Sequence, residues 1–189
     1  MKVAITGGIG SGKSYVCGLL CKRCIRIYDC DSAAKRLMHS NKTLQEKLKT
    51  LIGEDTFVNG QLNKPKVAQF LLASKSNSKA INSIVHPFVA NDFVNSEYDW
   101  MECAILYESG FDKLIDKVIV VTAPIDVRIK RIVQRDNISE AKAKEWIGKQ
   151  LPQEELAKRA DYEIVNDGKK DIDLQINRIL KEIENNIKQ

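Results

Sequence analysis

The stretch Ala4-Ile5-Thr6-Gly7-Gly8-Ile9-Gly10-Ser11-Gly12-Lys13-Ser14 constrains this chain more than any other, because it completes the pattern G-x-x-x-x-G-K-[ST] at the end of an apolar run. Glycines let backbone N–H groups turn inward around an anion with no Cβ in the way. In this pattern the lysine, here Lys13, reaches the β- and γ-phosphates of a nucleoside triphosphate, and the hydroxyl of Ser14 is placed to ligate Mg²⁺. A helix starting at the loop directs its positive dipole end at the same anion. Lys2 to Thr6 reads as a short buried strand and Ser14 to Cys24 as an amphipathic helix, which is the strand-loop-helix setting that the motif requires. The motif predicts nucleotide binding; turnover needs further residues.

A chain of 189 residues fits one α/β core carrying insertions. No apolar run approaches the roughly 20 residues of a membrane span, and the amino terminus enters a strand within about two residues, leaving no room for a signal peptide. These features predict a cytoplasmic protein with no membrane partner. The net charge of +5 suits an anionic small molecule, and an aromatic content of 6% without a concentrated basic face argues against nucleic acid. Cys17, Cys21 and Cys24 recur at helical spacing, so they are expected on one face, packed on the sheet as reduced core thiols. No fourth ligand completes a zinc site with them.

Strands are expected near Lys2 to Thr6, Ile25 to Tyr28, Met101 to Tyr107, Val118 to Thr122 and Tyr162 to Val165, alternating with helices as in a mostly parallel sheet. Residues 32–98 interrupt this alternation with helical stretches at Thr43 to Leu51, Lys64 to Leu72 and Lys79 to Asn95 and a loop from Gly53 to Asn63. An insertion of that length reads as a substrate-binding subdomain. The last helix, Asp171 to Ile187, carries apolar residues at Ile172, Ile176, Ile179, Leu180 and Ile183, the pattern of core packing.

Two further clusters carry chemistry. Asp29-Cys30-Asp31 follows the second strand, at the sheet edge where open α/β folds bind ligands, and an extended backbone would point both carboxylates the same way. One can accept a proton from an attacking hydroxyl while the other holds water around Mg²⁺; alternatively one of them caps the helix beginning near Ser32. In Pro124 to Asp136, with Pro124 in the first helical turn, Arg128, Arg131 and Arg135 recur at a spacing that places three guanidinium groups on one helix face. Arginines on a closing lid stabilise the charge that spreads over a transferring phosphoryl group, whereas the bland alternative is a solvated face. The polar stretch Asn137 to Gln150 is expected to be helical and to complete the flap.

Taken together these residues resemble the dephospho-coenzyme A kinase family. The similarity runs from the phosphate loop through Asp29-Cys30-Asp31, His86-Pro87, Tyr107-Glu108, Arg131, Gln134-Arg135-Asp136, Gln150 and Ala160-Asp161 to Ile164-Val165-Asn166-Asp167-Gly168. The resemblance implies an α/β fold: a three-layer phosphate-loop kinase core with a five-stranded, mostly parallel sheet, a helical coenzyme-binding insertion and a helical lid. It divides the chain into a core of residues 1–31, 99–124 and 160–189, an insertion of 32–98 and a lid of 125–159. It implies transfer of the ATP γ-phosphoryl group to the ribose 3′-hydroxyl of dephospho-coenzyme A, with Mg²⁺ accompanying ATP. In this reading Asp31 is the base, Lys13 the phosphate clamp and Arg135 the contact to the transferring phosphate. Gly8, Ile9, Gly10, Ser11, Gly12, Lys13, Ser14, Tyr15, Arg131 and Asn166 bind ATP, with Asn166 beside the adenine. Asp29, Lys35, His86, Tyr107 and Glu108 line the acceptor side, although His86 equally reads as a structural cap before Pro87. The chain departs from the family pattern at Tyr15 (usually threonine), Ala104 (proline), Lys35 (arginine) and Leu156 (often lysine), with Lys158 or Arg159 as substitutes for the last. A different acceptor, such as a nucleoside monophosphate, would keep the loop and the base and change only the pocket. A non-catalytic nucleotide-binding module would need neither Asp31 nor Arg135.

Overall fold

Two short apolar segments, Val3–Thr6 (β1) and Lys117–Thr122 (β6), set the centre of the molecule, because both are buried along almost their whole length. A computed structural model describes residues 1–187 of the chain. In chain order, β1 is followed by α1 (Lys13–Cys21), β2 (Ile27–Asp29), α2 (Cys30–Ser40), α3 (Lys42–Ile52), β3 (Phe57–Val58), β4 (Gln61–Leu62), α4 (Lys64–Ala73) and α5 (Lys75–Val94). Then come β5 (Trp100–Glu102), β6, α6 (Ile125–Asp136), α7 (Glu140–Ile147), α8 (Gln153–Arg159), β7 (Tyr162–Val165) and α9 (Ile172–Ile187). The main sheet has the order β2-β5-β1-β6-β7, and β1 pairs in parallel with β5 on one side and β6 on the other. Alternation along the strands sends Val3, Ile5, Ile119, Val121 and Ile164 to one face, where they meet Val16, Cys17 and Leu20 of α1 and Ile176, Ile179 and Ile183 of α9. The last helix packs as its periodicity predicts.

The chain forms two compact units, one of Met1–Tyr28 with the residues from Tyr98 onward, the other of Asp29–Glu97. The second has its own helical core: Leu37 of α2, Leu44 and Leu48 of α3, and Val85, Val89 and Phe93 of α5 are buried. An ion pair from Arg36 to Asp92, 2.6 Å long, ties α2 to α5. The expected loop at Gly53 to Asn63 holds a short 3₁₀ turn and the β3–β4 hairpin. Its two-residue turn is Asn59-Gly60, both with positive φ (50° and 76°), the conformation that a tight hairpin demands.

Three strand and helix expectations need correction. The second strand lies two residues later than Ile25. The strand expected over Met101 to Tyr107 ends at Glu102, where its neighbour β1 turns away into the phosphate loop after Thr6 and its other neighbour β2 has ended at Asp29. Beyond Cys103, whose N–H still bonds Ile5 O, the chain coils on itself through Ser109 N–H to Ile105 O and Phe111 N–H to Leu106 O. The three cysteines do not share a buried face. Cys17 is buried, but α1 stops at Cys21, which is exposed, as is Cys24 in a left-handed turn (φ 63°).

Candidate active site

The phosphate loop leaves β1 at Gly7 and enters α1 at Lys13. Gly12 adopts φ 91°, and a Cβ there would lie 2.0 Å from Asn166 Nδ2, so both conformation and space demand glycine. Asn166 follows β7, is 6% exposed, and donates from Nδ2 to Ser11 O at 2.8 Å. Arg131 of α6 donates from Nη1 to Gly10 O (3.3 Å) and Ser11 O (3.2 Å) and from Nη2 to Asn166 Oδ1 (3.1 Å). Gly12, Tyr15, Arg131, Asn166, Gly168, Lys170 and Asp171 line a cleft of about 610 Å³ beside the loop, with Tyr15 59% exposed at its edge. The structure thus gathers Gly12, Tyr15, Arg131 and Asn166 around one space.

Lys13 and Ser14 share a partner that the sequence reading did not single out. Glu102, the last residue of β5, pairs through Oε1 with Lys13 Nζ and accepts a hydrogen bond from Ser14 Oγ at 3.1 Å. The β1–β5 register sets Glu102 opposite Ile5, which brings its carboxylate to the mouth of the loop. Burial, reinforced by this carboxylate, pushes the Cys17 thiol far above its ordinary range, so it stays protonated. Reading residues 101–107 as one continuous strand hid Glu102; an acid inside an apolar run, beside the motif strand, was the available signal.

The α6 arginines separate. Pro124 sits at the N-cap, just before the first turn, and Arg128, 5% exposed, donates from Nε to Ile9 O at 2.9 Å. Arg135, although on the same helix, is exposed and pairs with Asp136 at 2.7 Å, which raises the arginine pKa and lowers that of the aspartate. Asn137 then ends α6 in the left-handed conformation (φ 51°). The expected helix from Asn137 to Gln150 is shorter, since Ser139 caps a helix running only over Glu140–Ile147. Beyond it, Gln150 Oε1 accepts from Ile9 N–H at 2.7 Å.

Asp29 and Asp31 do not lie side by side on an extended segment. Asp29 closes β2 and caps α2, with Oδ1 accepting from the N–H groups of Asp31 (2.9 Å) and Ser32 (3.1 Å) and Oδ2 from Ser32 Oγ (2.7 Å). Asp31 therefore occupies the first turn of α2, with Lys35 one turn further on. His86 and Pro87 both lie inside α5, so His86 is no cap; burial lowers its pKa. Tyr107 and Glu108 sit on the coil after β5. The Tyr107 hydroxyl is buried without a hydrogen-bond partner among the described residues, its pKa is raised by burial, and Arg159 lies over the ring at 5.3 Å. Glu108 Oε1 accepts from Leu151 N–H at 3.4 Å. Leu156 is buried.

A glycine loop between a parallel strand and a helix, with its lysine and serine at an acidic strand end, defines a phosphate-loop nucleotide-binding protein. The family model for dephospho-CoA kinase matches residues 1–171. A dephospho-CoA kinase of Bacteroides fragilis is 39% identical over 183 residues, covering 93% of this chain and 89% of that protein. Among solved structures, TT1252 from Thermus thermophilus is similar at a TM-score of 0.78 with 27% identity, covering 98% of this chain and 97% of that one. Dephospho-CoA kinase from Campylobacter jejuni shares the fold at a TM-score of 0.69 with 24% identity, covering 97% and 98% of the two chains. The chain belongs to the dephospho-CoA kinase family of phosphotransferases. Among the described residues no helix is long and apolar enough to cross a membrane.

Proposed function

We propose that this protein transfers the γ-phosphoryl group of ATP to the ribose 3′-hydroxyl of dephospho-coenzyme A, the last step of coenzyme A synthesis. The observation that carries the reading is the phosphate loop with Lys13 and Ser14 gathered at Glu102 in a member of this family. Lys13 clamps the β- and γ-phosphates, the loop from Gly8 to Tyr15 cradles the triphosphate, and Asn166 with Arg131 borders the adenine in the cleft they line. A hydroxyl and a carboxylate are hard oxygen donors, so Ser14 and Glu102 would hold Mg²⁺, which would neutralise phosphate charge.

Asp31 takes the proton of the attacking hydroxyl, and Asp29, with both oxygens committed to the first turn of α2, orients it. Lys35 and His86, in a coenzyme-binding insertion over residues 32–98, serve the acceptor, as do Tyr107 and Glu108 on the coil after β5. Residues 125–159 act as the lid, in which Arg135 exchanges Asp136 for the transferring phosphate. Neither nucleic acid nor membrane enters the reaction, and a cytoplasmic setting supplies its ATP. The test is ADP release with Mg²⁺-ATP and dephospho-coenzyme A, beside AMP, CMP, adenosine and a control without acceptor. Turnover with dephospho-coenzyme A alone, yielding coenzyme A, is the expected result; turnover with a different acceptor discards the substrate and keeps the chemistry.

A further inference from the structure

Three carbonyls of the phosphate loop are held from outside it by side chains distant in sequence. Arg128 Nε holds Ile9 O at 2.9 Å, Arg131 Nη1 holds Gly10 O at 3.3 Å, and Asn166 Nδ2 holds Ser11 O at 2.8 Å. A trans peptide is planar, so its N–H points opposite to its C=O. Holding the Ile9 carbonyl therefore aims the Gly10 N–H the other way, and holding the Ser11 carbonyl does the same for Gly12. The neighbouring Gly8–Ile9 peptide is held as well, since the Ile9 N–H is taken by Gln150 Oε1 at 2.7 Å, so both peptides flanking the Ile9 Cα are fixed.

Arg128 is the least expected member of this set. A guanidinium at 5% exposure is costly, and burial pulls its pKa down. Its place is protected by Gly8, where an added Cβ would meet Arg128 Nη2 at 2.4 Å and Cζ at 3.0 Å. Unlike Gly10 and Gly12, Gly8 has no positive φ, so a side chain there would meet the guanidinium of Arg128 and no backbone restriction, and the arginine would have to shift to admit it.

We propose that Arg128 is a positioning residue that locks the Ile9–Gly10 peptide, while Gln150 holds the Gly8–Ile9 peptide before it, so that the Gly10 N–H faces the phosphates of the bound nucleotide. The proposal rests on reading the loop as the triphosphate site. It is tested by ADP binding and steady-state kinetics of the wild type, Arg128→Ala, Arg128→Lys, Gly8→Ala and the Gly8→Ala/Arg128→Ala double variant. Arg128→Ala is expected to raise the Kd for ADP and the KM for ATP about tenfold while the acceptor KM stays unchanged, and Arg128→Lys to recover most of the loss. Gly8→Ala is expected to weaken ADP binding in the wild type but to add little once Arg128 is alanine, because the wall it strikes is gone. An ADP Kd within about twofold of wild type in Arg128→Ala, or an equal cost of Gly8→Ala in both backgrounds, overturns the proposal. If Arg128→Ala does not fold, Gly8→Ala alone decides, through a raised ADP Kd at unchanged Tm or an unchanged Kd. A wild type that binds no ADP overturns the triphosphate reading instead.

Discussion

The phosphate loop and the insertion after β2 are built on opposite economies. Around the loop, side chains from α6, from residue 150 and from the end of β7 each hold a backbone group by a hydrogen bond. In the insertion, stability comes from helix against helix: Leu44, Leu48 and Phe93 are buried, while α4 has no buried residue and Leu72 is 87% exposed. Hydrogen bonds fix directions and apolar contacts fix volumes, so damage to the first region is expected to appear in catalysis and damage to the second in stability.

The sharpest break in that comparison is Phe93→Ala, which removes a fully buried ring from α5 and is expected to cost about 3–5 kcal/mol in urea unfolding. A loss below about 1 kcal/mol would show that α5 does not carry the insertion core. Lys13→Ala is expected to lower kcat/KM by about 10²–10³-fold with Tm nearly unchanged; a collapse of Tm would contradict the division of roles. Asp31→Asn is expected to keep ADP binding and lose about 10²-fold in kcat, and unchanged turnover removes Asp31 from the mechanism.

A pH effect divides the regions further. Burial pushes the Asp161 carboxyl up, but Lys117 Nζ at 2.8 Å and the Val118 N–H at 2.8 Å outweigh it, leaving the folded pKa below its ordinary value. A carboxylate depressed on folding adds stability above its unfolded pKa of about 3.9, and that stability is lost as pH falls through the folded value. Asp161→Asn is therefore expected to flatten the decline of Tm below about pH 4; an unchanged decline assigns acid sensitivity elsewhere. Asn41→Ala, which removes the cap bonded to Leu44 N–H at 2.9 Å, is expected to cost about 1 kcal/mol. Leu72→Ser is the smallest, within about 0.5 kcal/mol, and a larger loss means that α4 is covered in solution.

Much of this was legible from residue types. The phosphate loop announced itself through glycine spacing, and the periodicity of Ile176, Ile179 and Ile183 marked the buried face of α9. What escaped depended on neighbours far away in sequence. Nothing local to Trp100–Tyr107 says that β1 stops at Thr6, so the apolar run read as strand and Glu102 was lost within it. Even spacing put Arg128, Arg131 and Arg135 together, whereas partners part them: two reach loop carbonyls and the third meets Asp136. Asp29 was readable as a cap or as a functional carboxylate, and only the start of α2 at Cys30 distinguishes the two. The hairpin at Asn59-Gly60 carried its own turn signal inside a stretch expected to be loop.

The position of β1 has a consequence in time as well as in energy. Because β1 is bonded along both edges, to β5 and to β6, no small opening of the sheet can release it without breaking two ladders at once. Its amides are expected to be among the slowest to exchange in their unit. The loop that grows from it is thus anchored at one end to a strand held along both edges.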